Sequence, residues 1–355
     1  MPGNLRRQSN LELLRIVAML MVLVAHADFL ALGAPDVYAV RHHPYSSLTR
    51  DMIYSFVFVS VNVYVMISGY FGIRTRWKST LAFVFMVVFW RVIIFLGYDA
   101  TGWPRPHNSM TVFRLMIPGY EDWFVEAYVL LRLIAPILNT YIENTSVRKM
   151  CVFVGCYYAF QIIFQLVIGE VYMVFNSGSS VLSFIGLYVI GGIFRKTRFH
   201  ERMSAWKWLG GYALWSVFAG GILFSLMYLT ARPWPEMMDM FQAHNGINVM
   251  IGSILLFLGF AAMRFRSRFV NTVAASTFAV YLFHMHPFVC PFYLDACRDL
   301  YANYPTLPYI GLMAALILGV FTFAVCVDRV RIWVWQLIMS GVDKILLHNS
   351  GLKII

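Results

Sequence analysis

Residues Leu11–Leu32 (LELLRIVAMLMVLVAHADFLAL) decide the fold class of this chain. About 20 mostly apolar residues are needed to span the hydrocarbon core of a bilayer, and this stretch is long enough. Arg6 and Arg7 precede it, as basic residues precede the apolar part of a signal peptide, but it lacks a small-residue cleavage site. We therefore predict a retained first membrane helix.

The composition agrees with a membrane protein. Hydrophobic residues make up 60% of the 355 residues, charged residues make up 13%, and the mean hydropathy is +0.68. A soluble protein of this size could not bury so much apolar surface beneath so few polar residues. The net charge of +11 is better explained by membrane topology than by a nucleic-acid partner, which we do not expect.

The apolar runs predict an all-α integral membrane protein, a bundle of about ten transmembrane helices. We interpret the chain as one transmembrane domain, 1–355, with the bundle at about 11–328 and a cytoplasmic amphipathic tail at about 329–355. In this tail, Arg331–Leu347 has the pattern of a helix that lies along the inner interface. The predicted spans are 11–32, 53–72, 79–98, 123–141, 150–168, 181–194, 207–229, 247–263, 272–291 and 308–328.

The distribution of Lys and Arg predicts the orientation of the bundle. With the N terminus in the cytoplasm, 19 of the 28 basic residues fall in inner segments, 6 in outer connections and 3 inside spans. Lys and Arg are retained on the cytoplasmic side of membrane proteins. The imbalance therefore favours a cytoplasmic N terminus and supports the list of spans.

Arg15 and His26 lie on nearly the same face of the first predicted helix. Their separation of 11 residues corresponds to about 16 Å along the helix axis. Ionisable side chains inside a bilayer are costly and mark functional sites. Counted from the cytoplasmic ends of their helices, His26, Arg91 and His284 lie in the outer half of the membrane. Glu126 lies near the outer start of its own span. We expect these four side chains to converge.

Four short motifs follow one another along the predicted helices. The motifs are Arg15 with His26 ten intervening residues later, Ser68-Gly69-Tyr70 in the second span, Trp123-Phe124 with Tyr128 in the fourth, and Tyr281-Leu282 with His284 in the ninth. Their order and spacing resemble the signature of the acyltransferase-three family of bacterial membrane acyltransferases, from Leu11 to about Arg331.

The resemblance implies an activity and its partners. We expect transfer of an acyl group, acetyl before other groups, from cytosolic acyl-coenzyme A to a hydroxyl of an extracytoplasmic glycan or lipid-linked sugar. Acyl-coenzyme A is then the co-substrate, membrane lipids surround the bundle, and no metal is expected. The resemblance also implies the bacterial inner membrane as the location. Succinyl donors and other acceptors, including macrolides, stay open.

The predicted site residues divide into three roles. His26 is the predicted general base for the acceptor hydroxyl, because a neutral imidazole titrates near working pH; a His26 nucleophile that carries the acyl group is equally open. Arg15, which lies nearer the cytosol, is predicted to bind donor phosphates. The remaining predictions are His284 and Glu126 for catalysis, Ser68 and Tyr281 for binding the acyl-coenzyme A, and Arg91, Asp28 and Trp123 for binding the acceptor.

The candidates also have structural interpretations. His26 could hydrogen-bond to a neighbouring helix, and Arg15 could snorkel to lipid phosphate. The Ser68 motif could permit close helix packing. Arg91 and Glu126 could form a buried ion pair that fixes two helices.

Two alternatives come from other functional classes. A glycolipid or solute transporter, such as a flippase, would use the Arg and His residues as a substrate or proton path, but internal repeats and matching broken helices are not visible in the sequence. A glycan polymerase would use a large outer loop. The oligomeric state, a homo-oligomer included, and a disulfide between Cys290 and Cys297 stay open.

Overall fold

The computed structural model describes residues 8–74, 76–101, 122–168, 175–233 and 243–351. These residues form helices joined by turns, and no strand occurs among them. The α-helices, numbered in chain order, are α1 Ser9–Ala25, α2 Val37–His42, α3 Pro44–Val57, α4 Ser60–Phe71, α5 Trp77–Ala100, α6 Trp123–Asn144, α7 Val147–Ile168, α8 Val181–Thr197, α9 Ala205–Thr230, α10 Ile247–Ala262, α11 Arg268–Ala274, α12 Thr277–His284, α13 Cys290–Asn303 and α14 Thr306–Gly351.

Seven helical segments of the described chain are long and apolar enough to cross a bilayer. They coincide with seven of the predicted spans, so the all-α membrane bundle is confirmed, whereas the count of ten is not. The seven segments are Ser9–Leu30, Pro44–Phe71, Trp77–Ala100, Trp123–Asn144, Val147–Phe164, Ala205–Thr230 and Thr306–Asp343.

The other three predicted spans correspond to shorter or interrupted helices in the structure. Helices α8 and α10 have 17 and 16 residues, which gives about 25 Å against a hydrocarbon core of about 30 Å. The prediction of one continuous helix over 272–291 is wrong. Short helices α11 and α12 occupy most of it, and the chain leaves α12 before Pro287, because proline disfavours helical backbone at the preceding residue.

Helix α1 lies in the middle of the bundle. It contacts α3, α4, α10, α11, α12 and α14, and residues such as Leu14 and Leu23 are fully buried. The Asn10 amide donates to the carbonyls of Phe260 and Ala261 at 3.0 and 3.1 Å. This polar clasp holds the start of α1 against the end of α10 at the end of the bundle that carries Arg264, hereafter the basic end.

Helices α4 and α8 cross at glycines that admit no side chain. A Cβ on Gly69 would collide with the backbone of Tyr188, and a Cβ on Gly191 would collide with the carbonyl of Met66. Small residues let membrane helices approach to backbone contact. The packing interpretation of the Ser68 motif is therefore confirmed at Gly69.

Helix α14 continues far beyond the length of a membrane span. Its 46 residues correspond to about 69 Å, more than twice the hydrocarbon thickness. The predicted amphipathic segment Arg331–Leu347 is part of this helix, and its position along the inner interface stays a prediction. The fully buried Asp328 holds α14 to α5, since it accepts from Trp90 Nε1 at 3.2 Å and pairs with Arg331 at 2.6 Å.

Cys290 and Cys297 do not pair with each other. Both lie on α13 and are seven residues apart, so their Cα atoms are about 10.5 Å apart along the helix axis. A disulfide needs a Cα–Cα distance below about 7 Å. Helical geometry therefore excludes the bond.

We expect Gly69→Ala to lower the thermal stability of the protein. The added methyl meets the Tyr188 backbone, and overpacking of this kind destabilises by about 1–3 kcal/mol. Gly155→Ala is the matched control, because Gly155 lies inside α7 with open space at its Cβ position. The Tm in detergent measures both variants. Equal Tm values for the two would contradict the close crossing of α4 and α8.

Candidate functional site

The end of the first membrane segment widens from an α-helix into a π-helical turn, His26–Leu30. The Ala31 N–H donates to the carbonyl of His26, five residues earlier. Single π-turns occur frequently at functional sites, because the extra residue rotates the side chains that follow. The turn begins at the residue predicted as general base.

His26 and His284 meet, as the depth argument predicted. His26 Nδ1 lies 2.9 Å from His284 Nε2, and His284 Nδ1 lies 2.7 Å from the carbonyl oxygen of Val280. A carbonyl only accepts hydrogen bonds, so His284 Nδ1 carries a proton. With both rings neutral, His284 Nε2 accepts, His26 Nδ1 donates, and His26 Nε2 is left unprotonated.

The imidazole of His284 is held on several sides. It is fully buried, and the rings of Tyr281 and Tyr293 each stand edge-on at 5.8 Å. Tyr293 also donates to the carbonyl of Leu23 at 2.9 Å, which joins α13 to α1. The partner of His26 therefore has a fixed position.

A cavity of about 380 Å³ lies beside His26. His26 is on its wall, whereas His284 lies behind it. Positions along the helices place Met19 and Tyr64 at the inner part of the cavity, nearer the basic end, and Leu30 and Ala34 at its outer part. Most of the lining is apolar or aromatic; further members are Phe29, Tyr54, Phe58, Trp123, His244 and Phe278.

Asp122 fixes another part of the cavity wall. Its Oδ1 accepts from the Val125 N–H at 3.3 Å, which caps α6, and from the Tyr281 hydroxyl at 2.8 Å. Burial raises the pKa of Asp122, and the hydrogen bond from Tyr281 opposes that rise. The Asp-Trp-Phe sequence before a helical run indicates an N-cap, but the bond to Tyr281 has no sequence signal.

Among the predicted acceptor-binding residues, Trp123 lines the cavity and two others do not. Asp28 is buried and pairs with Arg50, Nε to Oδ1 at 2.7 Å. Arg91 is buried on α5, where its charge acts on Asp122 and His286.

Glu126 and Ser68 are not brought to His26. Glu126 is exposed on α6 and is absent from the cavity wall, so the expected convergence does not include it. Adjacent helical positions point in different directions, and the cavity wall contains Phe124 and Trp123 instead. Ser68 lies on α4 between the cavity and the basic end, and its hydroxyl donates to the carbonyl of Tyr64 at 3.0 Å.

A second concave surface, which encloses a volume of about 1140 Å³, lies at the basic end. Burial lowers the pKa of His200 within it, opposed by Glu201, so arginines supply the positive charge. Glu201 is the carboxylate among the described lining residues. The arginines are Arg195, Arg198, Arg264, Arg266 and Arg268. We call this surface the arginine cleft. Its arginines come from two separate connections, one after the sixth and one after the eighth predicted span, and the sequence does not show that these connections meet.

Arg15 lies between the arginine cleft and the cavity and lines neither. Its Nη1 pairs with the buried Glu12 at 3.2 Å, and its guanidinium lies over the ring of Phe71 at 5.7 Å. Tyr64 donates to its carbonyl at 2.8 Å. In the described part of the chain, no group of three or more His, Cys, Asp or Glu side chains is placed to hold a metal ion.

A family model for an acyltransferase domain matches residues 8–328, nearly the whole chain and all the site residues described above. No curated protein matches this chain, and no solved structure matches it.

We expect His26 to be protonated at Nδ1 and unprotonated at Nε2, because His284 Nε2 accepts from it. The ¹⁵N chemical shifts of histidine-labelled protein in lipid report the protonation of each ring nitrogen, and His26→Gln identifies the signals. In His284→Phe we expect both tautomers of His26 to appear. A proton on Nε2 of His26 in the unsubstituted protein would refute the assigned tautomer.

Proposed function

The chain belongs to the acyltransferase 3 family of membrane acyltransferases, and on that premise we propose that it moves an acyl group from cytosolic acyl-coenzyme A to a hydroxyl of an extracytoplasmic acceptor. The observation that carries the proposal is the hydrogen-bonded pair of histidines at the cavity. The pair orients the His26 imidazole and leaves its Nε2 unprotonated. His26 lies on the wall of a cavity that a substrate can reach.

In this proposal, His26 Nε2 takes the proton of the acceptor hydroxyl while the oxygen attacks the thioester carbonyl. The tetrahedral intermediate then collapses, the carbon–sulfur bond breaks, and His26 returns the proton to the sulfur, which leaves as coenzyme A thiol. His284 acts as a positioning residue, because it holds His26 by accepting from Nδ1, as the third member of a catalytic triad does. In the alternative, His26 Nε2 attacks the thioester carbonyl, the carbon–sulfur bond breaks and coenzyme A thiolate leaves; the acceptor oxygen then displaces the nitrogen from the acyl carbon, and the hydroxyl proton goes to the thiolate.

We place the donor nucleotide at the arginine cleft. Arginine binds phosphate through two parallel hydrogen bonds, and the cleft carries five arginines against one glutamate among its described residues. The charge of Arg15 is instead balanced locally by Glu12. From Asn10 in the cleft to His26, α1 rises about 24 Å. We propose that the acyl-bearing arm of the donor follows this path and passes Arg15.

The acceptor enters from the opposite end in this proposal. A glycan or lipid-linked sugar brings the hydroxyl, acetyl is the first acyl group to test, and Trp123 contributes an aromatic face to the acceptor. The multi-pass membrane location follows from the seven apolar helices, and we propose the bacterial inner membrane. Donor and acceptor then never need to share one side of the bilayer.

We expect His26→Ala to lower coenzyme A release from acetyl-coenzyme A by about 10²–10⁴-fold, the usual contribution of a general base. Donor affinity stays within twofold of wild type, because the cleft is remote from His26. Release is measured with purified protein in lipid, and His42→Ala, at an exposed histidine of α2, is the control.

Full turnover by His26→Ala would remove His26 from the mechanism. If wild type neither binds nor cleaves acetyl-, propionyl- or succinyl-coenzyme A, acyl transfer from coenzyme A is refuted and the transporter alternative takes its place.

We expect Arg264→Gln/Arg266→Gln to weaken the binding of acetyl-coenzyme A by at least about tenfold and to reduce its dependence on salt, because both side chains line the arginine cleft. Arg148→Gln/Lys149→Gln removes the same charge from exposed positions of α7 outside the cleft and should change the Kd less than twofold. Equal effects of the two double variants, or a larger effect of Arg15→Gln, would exclude the cleft as the nucleotide site.

A further inference from the structure

His244 is a buried imidazole on the cavity wall that the proposed reaction does not use. It lies in the connection before α10, its relative exposure is 7%, and its Nδ1 has no hydrogen-bond partner in the described structure. Buried polar atoms in native proteins are almost always paired, with protein, water or a ligand. Because the side chain of His244 lines the cavity, a molecule bound there can supply the hydrogen bond that the imidazole lacks.

Three chain segments build the position of His244. Its N–H donates to the carbonyl of Ser177 at 2.9 Å, and its carbonyl accepts from the Asn62 amide at 2.8 Å. Gly178, at φ +87°, approaches so closely that a Cβ there would collide with His244. A left-handed backbone and this close approach both require glycine. The connection is thus held firmly at the cavity.

The ring of His244 is part of a continuous aromatic surface. It is parallel to the ring of Phe58, with an interplanar angle of 5° and centroids 4.2 Å apart, and Trp123 lies at 5.8 Å with a tilt of 34°. All three side chains line the cavity that contains His26. We call them the aromatic wall. It combines broad apolar faces with one imidazole that lacks a partner.

We propose that the aromatic wall is the acceptor subsite, that it binds a pyranose ring, and that His244 hydrogen-bonds a ring hydroxyl. A pyranose has C–H groups on its faces and hydroxyls around its edge, so it needs aromatic faces together with a few fixed polar groups. An acyl chain would leave the imidazole unpaired. The subsite rests on the proposed function only in that the bound ring brings the hydroxyl that His26 deprotonates.

His244→Phe separates hydrogen bonding from stacking. Phenylalanine keeps a flat ring against Phe58 and the Cβ next to Gly178, but it removes both ring nitrogens. His286→Phe is the matched control, because His286 is also buried with an unpartnered ring nitrogen, Nε2, and lies outside the cavity wall. Comparison of the two variants distinguishes loss of the subsite from loss of a buried histidine.

The probe is phenyl β-D-glucopyranoside, and its binding to the protein in lipid nanodiscs is measured by equilibrium dialysis without any acyl donor. We expect saturable binding to wild type, at least about tenfold weaker binding to His244→Phe, and a change below twofold in His286→Phe. Phe58→Leu removes the ring that His244 stacks on, so it should also weaken binding, and it provides the test if His244→Phe does not fold.

Absence of saturable binding by wild type, or unchanged binding by the folded variants, overturns the subsite. Coenzyme A release from acetyl-, propionyl- and succinyl-coenzyme A, measured in the same samples, keeps this result separate from the proposed reaction. Glucoside binding without release refutes the reaction and leaves the subsite standing. Release without glucoside binding refutes the subsite and leaves the reaction standing.

Discussion

The hydrogen bond between His26 and His284 is the contact on which the rest of the site depends. It joins the first membrane segment to a helix more than 250 residues later. Both elements depart from a regular helix at the pair, because the π-turn begins at His26 and α12 ends at His284. Since His284 is anchored to the Val280 carbonyl, one backbone oxygen sets the protonation of the whole pair.

Packing around α1 keeps this pair at one depth. Asn10 clasps the basic end of α1 to α10, and Tyr293 clasps its other end to α13. The glycine crossing of α4 and α8 brings backbones into contact, so the neighbouring α4 side chains project toward α1. Tyr64 is one of them, and it closes the inner part of the cavity by bonding to the Arg15 carbonyl.

The two concave surfaces of the bundle have opposite chemistry. The arginine cleft is exposed and positively charged, whereas the cavity is mostly apolar with isolated imidazoles. A bilayer protein keeps basic residues at its cytoplasmic end, and a low-dielectric cavity makes each fixed polar group more selective. A donor with phosphates at one end and a thioester at the other matches this arrangement, which underlies the proposed transfer across the membrane.

The sequence alone determined the fold class and the residues at its centre. Hydropathy and the asymmetry of Lys and Arg are summed over many residues, so errors at single positions do not alter them. Helical periodicity also placed Arg15 and His26 on one face and His284 at a matching depth. Tertiary structure decided which faces meet: Glu126 points outward, Arg15 pairs with Glu12, and His244 reaches the cavity from a connection without a motif. A helix period fixes the direction of a side chain relative to its own axis, but the rotation of that axis in the bundle is fixed by packing against distant segments.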